Sequence, residues 1–257
     1  MTDPILEVRN VSVRFGGVVA LNGLSFVVPQ GAVVGLIGPN GAGKTTLFNC
    51  LSRIYAPQSG DILVEGGSIL GLREHEIPNL GIARTFQNVA LFDNLTVLDN
   101  VLVGAHSVST GGFLANALWL PGVRATERVL HDKASEAMAF MKVEQSAQVL
   151  ARDLPLPIRK RVEFARALVS NPRLLLLDEP AAGLNHAEVE VLGDQIRSVR
   201  ERFRTAILLV EHHMSLVMSV SDQVVAMNFG MKIAEGTPAA VQRNPEVIRA
   251  YLGAEAA

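Results

Sequence analysis

The segment Gly38, Pro39, Asn40, Gly41, Ala42, Gly43, Lys44, Thr45, Thr46 follows directly on the apolar run Val33 to Ile37. Its G-x-x-x-x-G-K-[ST] spacing after a buried strand is that of a phosphate-binding loop. Glycines at 38, 41 and 43 let backbone N–H groups turn inward onto phosphate oxygens, and a helix starting here adds the positive end of its dipole. Lys44 would reach the β and γ phosphates, Thr45 would set its hydroxyl on Mg²⁺, and Thr46 would bond a neighbouring phosphate oxygen. A second run, Leu174 to Pro180, ends in Asp178 and Glu179. Asp178 then stands at the C-terminal edge of a strand, where a carboxylate can hold the Mg²⁺ hydration shell. Glu179 faces the γ-phosphate and can polarise or orient attacking water. Each motif alone has an ordinary reading, a Gly-rich turn or an acidic strand end; together they describe phosphoryl transfer.

The elements that must position these groups are readable from periodicity. Ile5 to Val8, Leu24 to Val28, Val33 to Ile37 and Asp61 to Val64 read as strands, the last after a turn signal at 57–60. Leu24, Phe26 and Val28 alternate as in a half-buried strand, whereas residues 33–37 are continuously apolar and fit a strand buried on both faces. In the middle third Val129, Leu130, Ala134, Ala137, Met138 and Met141 fall at helical spacing between charges, which predicts an inserted helical region. The last third returns to strands at 174–177, 206–210 and 223–227. Between the first two, Val189, Leu192, Ile196, Val199 and Phe203 trace one face of a helix. Strand, helix, strand predicts a parallel sheet with right-handed crossovers.

Composition removes several classes. A chain of 257 residues is long enough for a large core, at roughly 150 residues per domain. With 23 Lys+Arg against 25 Asp+Glu and a net charge of -2, it lacks the basic surplus that broad phosphate-backbone binding needs, so nucleic acid is not expected as a partner. One cysteine, Cys50, allows no internal disulfide, fits a reducing compartment and reads as core on the helix after the phosphate loop. The start MTDPILEVRN has no signal-peptide core. Mean hydropathy is +0.28, high enough to raise the question of a membrane span. The uncharged stretches from Phe15 to Gly43 and from Ser107 to Val123 are both cut by Gly, Asn and Pro, so neither offers the ~20 apolar residues a spanning helix needs.

With both motifs in place, the chain resembles, over essentially its whole length, the nucleotide-binding subunits of ABC transporters. The resemblance implies an α/β fold: a P-loop NTPase (RecA-like) core with an antiparallel β subdomain, assigned here to 1–87 and 169–257, and a helical subdomain inserted at 88–168, all one nucleotide-binding domain. It implies ATP and Mg²⁺ as cofactors and ATP hydrolysis as the activity. Gln87, in Arg84 to Asn88, matches the glutamine that touches Mg²⁺ and attacking water in such domains. Ala182, Gly183, Leu184 and Asn185 match the loop that crosses to a partner ATPase. His212 matches the switch histidine, and Phe15 the aromatic that stacks on adenine. Phe15 could instead close the turn beside Gly16 and Gly17, and Asn185 with Glu188 also reads as a helix N-cap with a capping-box partner. His213 reads as bystander surface.

The stretches AspGluProAlaAlaGlyLeuAsn, GluHisHisMetSerLeuValMet and AsnProGluValIleArgAlaTyrLeuGly are similar to one ATPase subunit of branched-chain amino acid importers, as is the early ArgPheGlyGlyValValAlaLeu. That family implies a second ATPase subunit in a heterodimer (a homodimer being possible), two membrane permease subunits and an external, periplasmic binding protein. It places the chain peripherally on the cytoplasmic face of the membrane. Import of urea, amides or another small solute, and a nucleotide-gated subunit of weak hydrolysis, are the competing expectations. A soluble ABC ATPase acting on ribosomes or DNA is disfavoured by the single domain. The segment with Phe113, Leu114, Leu118 and Trp119 is either helical-subdomain core or part of a groove wall for the membrane subunit.

The sequence breaks the family pattern at one place. Where an LSGGQ-like signature would start a helix stand Leu154, Pro155, Leu156, Pro157 and Ile158. The serine and both glycines are absent, and Pro157 has no N–H to donate. Proline suits a first helical turn, so the helix is expected to persist with a poorer phosphate-binding surface. In a head-to-tail dimer that surface would cap the partner's ATP, making the two sites unequal.

Overall fold

The computed structural model describes residues 3–85, 89–105 and 121–254. Gln87 and most of the uncharged segment, including Phe113, Leu114, Leu118 and Trp119, lie outside the described residues. The chain divides into two compact units, Met1–Ile82 with Arg173–Ala257, and Ala83–Pro172.

The first unit carries two sheets. Strands β1 (Leu6–Phe15), β2 (Val18–Val28), β4 (Ser59–Val64) and β5 (Gly67–Ser68) form an antiparallel sheet in the order β2-β1-β4-β5. Strands β3 (Val33–Ile37), β6 (Ile82–Arg84), β7 (Leu174–Asp178), β8 (Ala206–Val210), β9 (Gln223–Asn228) and β10 (Met231–Gly236) form a second sheet, ordered β10-β9-β3-β8-β7-β6. β3 runs parallel to β8 and β9, and β7 parallel to β8, while β10 is paired antiparallel through its hairpin with β9. The continuous apolar runs are explained by position, since every residue of β3, β7 and β8 is buried. β2 shows the expected alternation, with Leu24, Phe26 and Val28 inward.

Helix Lys44–Leu51 lies in the core between the sheets. Its Leu47, Phe48, Cys50 and Leu51 join Val8, Val13, Leu24 and Ile62 of one sheet and Leu36, Leu176 and Leu208 of the other in one cluster. Burial pushes the Cys50 thiol up to about 11, so it stays protonated and unreactive at neutral pH. On the opposite face of the parallel sheet, helix His186–Phe203 buries Val189, Leu192, Ile196 and Val199. Phe203, expected on that stripe, is only half-buried because the helix ends there and Arg204 turns left-handed. Asn185 caps this helix with Glu188 as reciprocal partner, at 3.0 and 2.8 Å, a pairing whose cap alone is worth about 1 kcal/mol.

The second unit is built from helices Val97–Gly104, Pro121–Phe140 and Leu156–Leu168, which pack on one another. Ala134, Ala137, Met138 and Met141 are buried as their spacing predicts. Val129 is not: it is exposed, and lies on the solvent side of the stripe. Asn100, fully buried, ties the preceding loop to the first of these helices. Its amide donates to the carbonyls of Phe92, Leu95 and Thr96, and its oxygen accepts from Phe92 N at 2.8 Å. Among the described residues no helix is long and apolar enough to cross a membrane.

The first and last of these helices touch most closely at Gly104, where an added Cβ would collide with the Arg166 carbonyl. Gly104→Ala is therefore expected to lower stability by about 1–3 kcal/mol through overpacking, measured by urea unfolding, whereas Gly71→Ala, with open space around its position, should leave the midpoint unchanged.

Candidate functional site

The site is assembled at the C-terminal ends of β3, β7 and β8. Val210 pairs with Leu36 on one side and with Asp178 on the other. The chain therefore leaves all three strands at one level, where open α/β sheets hold their ligands. From β3 comes the loop 38–43, from β7 Asp178 and Glu179, and from β8 Glu211, His212 and His213.

The phosphate loop is held from behind by backbone. Ala42 N donates to Pro39 O, and Gly230 N donates to Ala42 O at 3.0 Å. Gly43, the residue before the helix, has φ 102, and a Cβ there would collide with the Ala20 carbonyl. Both demands, left-handed backbone and close approach, select glycine. Helix Lys44–Leu51 has no side-chain cap and no acidic residue in its first turn, so its N–H dipoles stay available to an anion. Lys44 is buried, its ammonium donating to the carbonyls of Gly38 at 2.6 Å and Pro39 at 3.0 Å. Burial draws its pKa below the usual lysine range, and the carboxylates of Glu179, Asp178 and Glu211 offset only part of that shift. Thr45 is exposed and Thr46 half-buried beside it. From the C-terminal helix Pro245–Ala254, Tyr251 turns its buried hydroxyl toward the Gly38 backbone, and burial pushes the phenol up to about 12. An apolar cavity of about 240 Å³ adjoins it, between Ile37, Met214 and Ile248.

Asp178, nearly fully buried, ends β7. Glu179 follows with φ 47, a left-handed conformation uncommon outside glycine, and its N–H donates to Val210 O at 2.9 Å. Its carboxylate lies 3.9 Å from His212 Nδ1. His212 is largely exposed, its ring beside that of His213 at 6.0 Å between centroids. The segment 181–185 leaves from Glu179 through two tight turns, Ala182 N to Glu179 O and Leu184 N to Ala181 O, and then caps the helix at Asn185.

Phe15 ends β1 with its ring exposed, and Tyr55 approaches it edge-on at 5.1 Å between centroids. Tyr55 drew no attention in the sequence, because an isolated tyrosine between a helix end and a turn carries no pattern. Glu211 was likewise visible only as a neighbour of His212, yet it is fully buried and bonds three backbone N–H groups of the site. Gln87 falls outside the described residues.

The donors suit a magnesium nucleotide. A triphosphate would meet the loop N–H groups and the Lys44 ammonium. For the cation, the Thr45 hydroxyl and the Asp178 carboxylate are hard oxygen ligands. Among the described residues no group of three His, Cys, Asp or Glu could hold a metal, and Mg²⁺ requires none, since it is usually held by one or two side chains together with phosphate oxygens and water.

In the second unit, Pro155 occupies the N-cap of helix Leu156–Leu168 with extended φ −64 and ψ 152, and Pro157 sits in the first turn. The helix forms as expected, and no side chain caps it. Leu156 is exposed there, so this helix start offers an apolar side chain and one fewer N–H. It is anchored by Arg159, whose guanidinium meets Asp93 at 2.7 Å.

Comparison with known proteins agrees with this geometry. Residues 21–182 match the model of the ABC transporter family, and residues 231–257 match that of the branched-chain amino acid ATP-binding cassette transporter. The chain is 44% identical over 253 residues, 98% of its own length and 99% of the other, to the high-affinity branched-chain amino acid transport ATP-binding protein BraF of Pseudomonas aeruginosa. It is 41% identical, with the same coverage, to LivG of Escherichia coli, which bears the same description. Among solved structures, the ADP conformation of MJ1267, an ATP-binding cassette of an ABC transporter, superposes with a TM-score of 0.84 at 29% identity, covering 98% of this chain and 100% of that one. By motif, by site geometry and by similarity along its whole length, this chain belongs to the ABC transporter family as one of its ATP-hydrolysing cassettes.

Proposed function

We propose that the chain powers the inward transport of branched-chain or related hydrophobic amino acids as the ATPase subunit of an importer, bound to permease subunits at the cytoplasmic face of the membrane. What carries this reading is the convergence of the phosphate loop, Asp178, Glu179 and His212 at one sheet edge, in a chain whose full length resembles branched-chain amino acid transport ATP-binding proteins. The match of residues 231–257 to the branched-chain amino acid cassette model supports the same substrate class.

In this reading the loop N–H groups and Lys44 take the β and γ phosphates, Thr46 a neighbouring oxygen, and Phe15 the adenine, with Tyr55 steadying the ring from its edge. Thr45 and Asp178, together with Gln87, would hold Mg²⁺, which neutralises charge building on the phosphates. Glu179 orients water for in-line attack, and His212 meets the γ-phosphate. Catalysis is then positioning and electrostatic stabilisation more than covalent chemistry. Residues 182–185 face a second ATPase subunit, and residues 154–158 cap that partner's nucleotide. Moving a two-state transporter from 1:99 to 99:1 requires about 5.5 kcal/mol of differential binding, within reach of two clamped nucleotides.

In the reconstituted transporter, Glu179→Gln should remove most ATP turnover, while the equivalent change in a second ATPase subunit costs less, because the nucleotide on that subunit is capped by Leu154 to Ile158. Phosphate release assays read this directly, and equal losses would refute the asymmetry. Tyr55→Ala should weaken ATP binding several-fold with little change in maximal turnover, as seen by titration with a fluorescent nucleotide. A proton is also involved. Burial depresses the Lys44 pKa in the free protein, and bound phosphate raises it again. ATP binding at alkaline pH should therefore take up a proton, and affinity should fall as pH rises through that range. Calorimetry in two buffers of different ionisation enthalpy measures the uptake, and Lys44→Met should abolish it.

A further inference from the structure

Glu211 is a fully buried acidic side chain that accepts hydrogen bonds from backbone N–H groups of two separate catalytic segments, with the Lys44 ammonium as its charged neighbour. Oε1 accepts from Ala181 N at 3.2 Å, two residues after Glu179. Oε2 accepts from His212 N at 3.0 Å and from His213 N at 3.2 Å. A carboxylate oxygen has two lone pairs, so Oε2 is saturated by these two bonds. His212 Nδ1 lies 3.8 Å from that oxygen, beyond hydrogen-bond distance, and 3.9 Å from the Glu179 carboxylate on the neighbouring segment.

We propose that Glu211 is a positioning residue that clasps the segment following Glu179 to the histidine turn, setting the distance between Glu179 and His212 and making the two segments move as one. This rests on the ATPase reading of the site. One backbone bond, Glu179 N to Val210 O, joins the strand ends, while the turns beyond them, at 181 and at 212–213, meet through Glu211, and Glu179 itself stands in a left-handed conformation that its surroundings must enforce. A neutral amide cannot replace the clasp, because its nitrogen has no lone pair to offer a backbone N–H. Glutamine would give its oxygen to His212 and His213, where two bonds are at stake, and release Ala181. Alanine would release both segments.

The test uses the assembled transporter. Glu211→Gln is expected to lower kcat for ATP hydrolysis about ten- to a hundred-fold, the range seen when a group that orients a reacting ligand is changed, with KM for ATP within two-fold of wild type. Hydrogen exchange followed by mass spectrometry should show faster exchange in the peptide covering 180–185 for Glu211→Gln, and in both that peptide and the one covering 211–216 for Glu211→Ala. The proposal is overturned if kcat stays within two-fold, if KM rises as much as kcat falls, or if Glu211→Ala leaves either peptide unmoved. Should neither variant accumulate as folded protein, wild-type exchange decides: equal protection at 181 and 213 supports the clasp, and unprotected exchange at either position overturns it. A wild-type transporter that hydrolyses no ATP would count against the ATPase reading alone, since the exchange arm still reports on the clasp.

Discussion

The parallel register around Val210 is the constraint on which the rest of the molecule depends. A strand with one neighbour paired at Leu36 and the other at Asp178 brings three loops to a common level, so groups as far apart in sequence as Lys44 and Glu211 come within electrostatic reach of one another. The ladder that achieves this is made by backbone groups among fully buried apolar side chains, where an unmade hydrogen bond costs about 1–3 kcal/mol. A slip of one residue would turn Asp178 from the edge into the core and reverse every inward face of the strand. Precision at the site is thus inherited from the sheet and only refined locally.

Much of this was legible in the sequence, and the reason is chemical. Uninterrupted apolar runs at 33–37, 174–177 and 206–210 can only be strands covered on both sides, and a Gly-rich loop with Lys44 and Thr45 after one of them has a single well-known use. What escaped reading lacks periodicity. β10 has no buried residue and no regular alternation, so it shows no apolar pattern although it forms one edge of the sheet. Val129 matches the spacing of its helix but lies just off the packed stripe. Tyr55 and Glu211 matter through contacts that cross the fold, and nothing near them in sequence announces those contacts.

The starts of two helices, one in each unit, differ in character. The loop 38–43 is rich in backbone donors and rests on the helix Lys44–Leu51, itself buried in the core, so it is preorganised for phosphate. The helix beginning at Leu156 has Pro155 where the family signature has serine, and Leu156 and Pro157 where it has glycines. Prolines reduce the freedom of the unfolded chain, and so this helix start keeps its shape while offering fewer N–H groups. One chain thus combines a complete phosphate-loop motif with a helix start poor in N–H donors.

In its proposed role, Glu179 shows what the activity costs the fold. Its φ of 47 places a carboxylate-bearing residue where glycine would rest without strain, a penalty of roughly 1–2 kcal/mol. Selection for a sturdier protein alone would drift toward glycine at this position, and the chain would gain durability as it lost its chemistry. In its proposed role the glutamate cannot give way to glycine, which sets a ceiling on how far this cassette can be stabilised before it stops working.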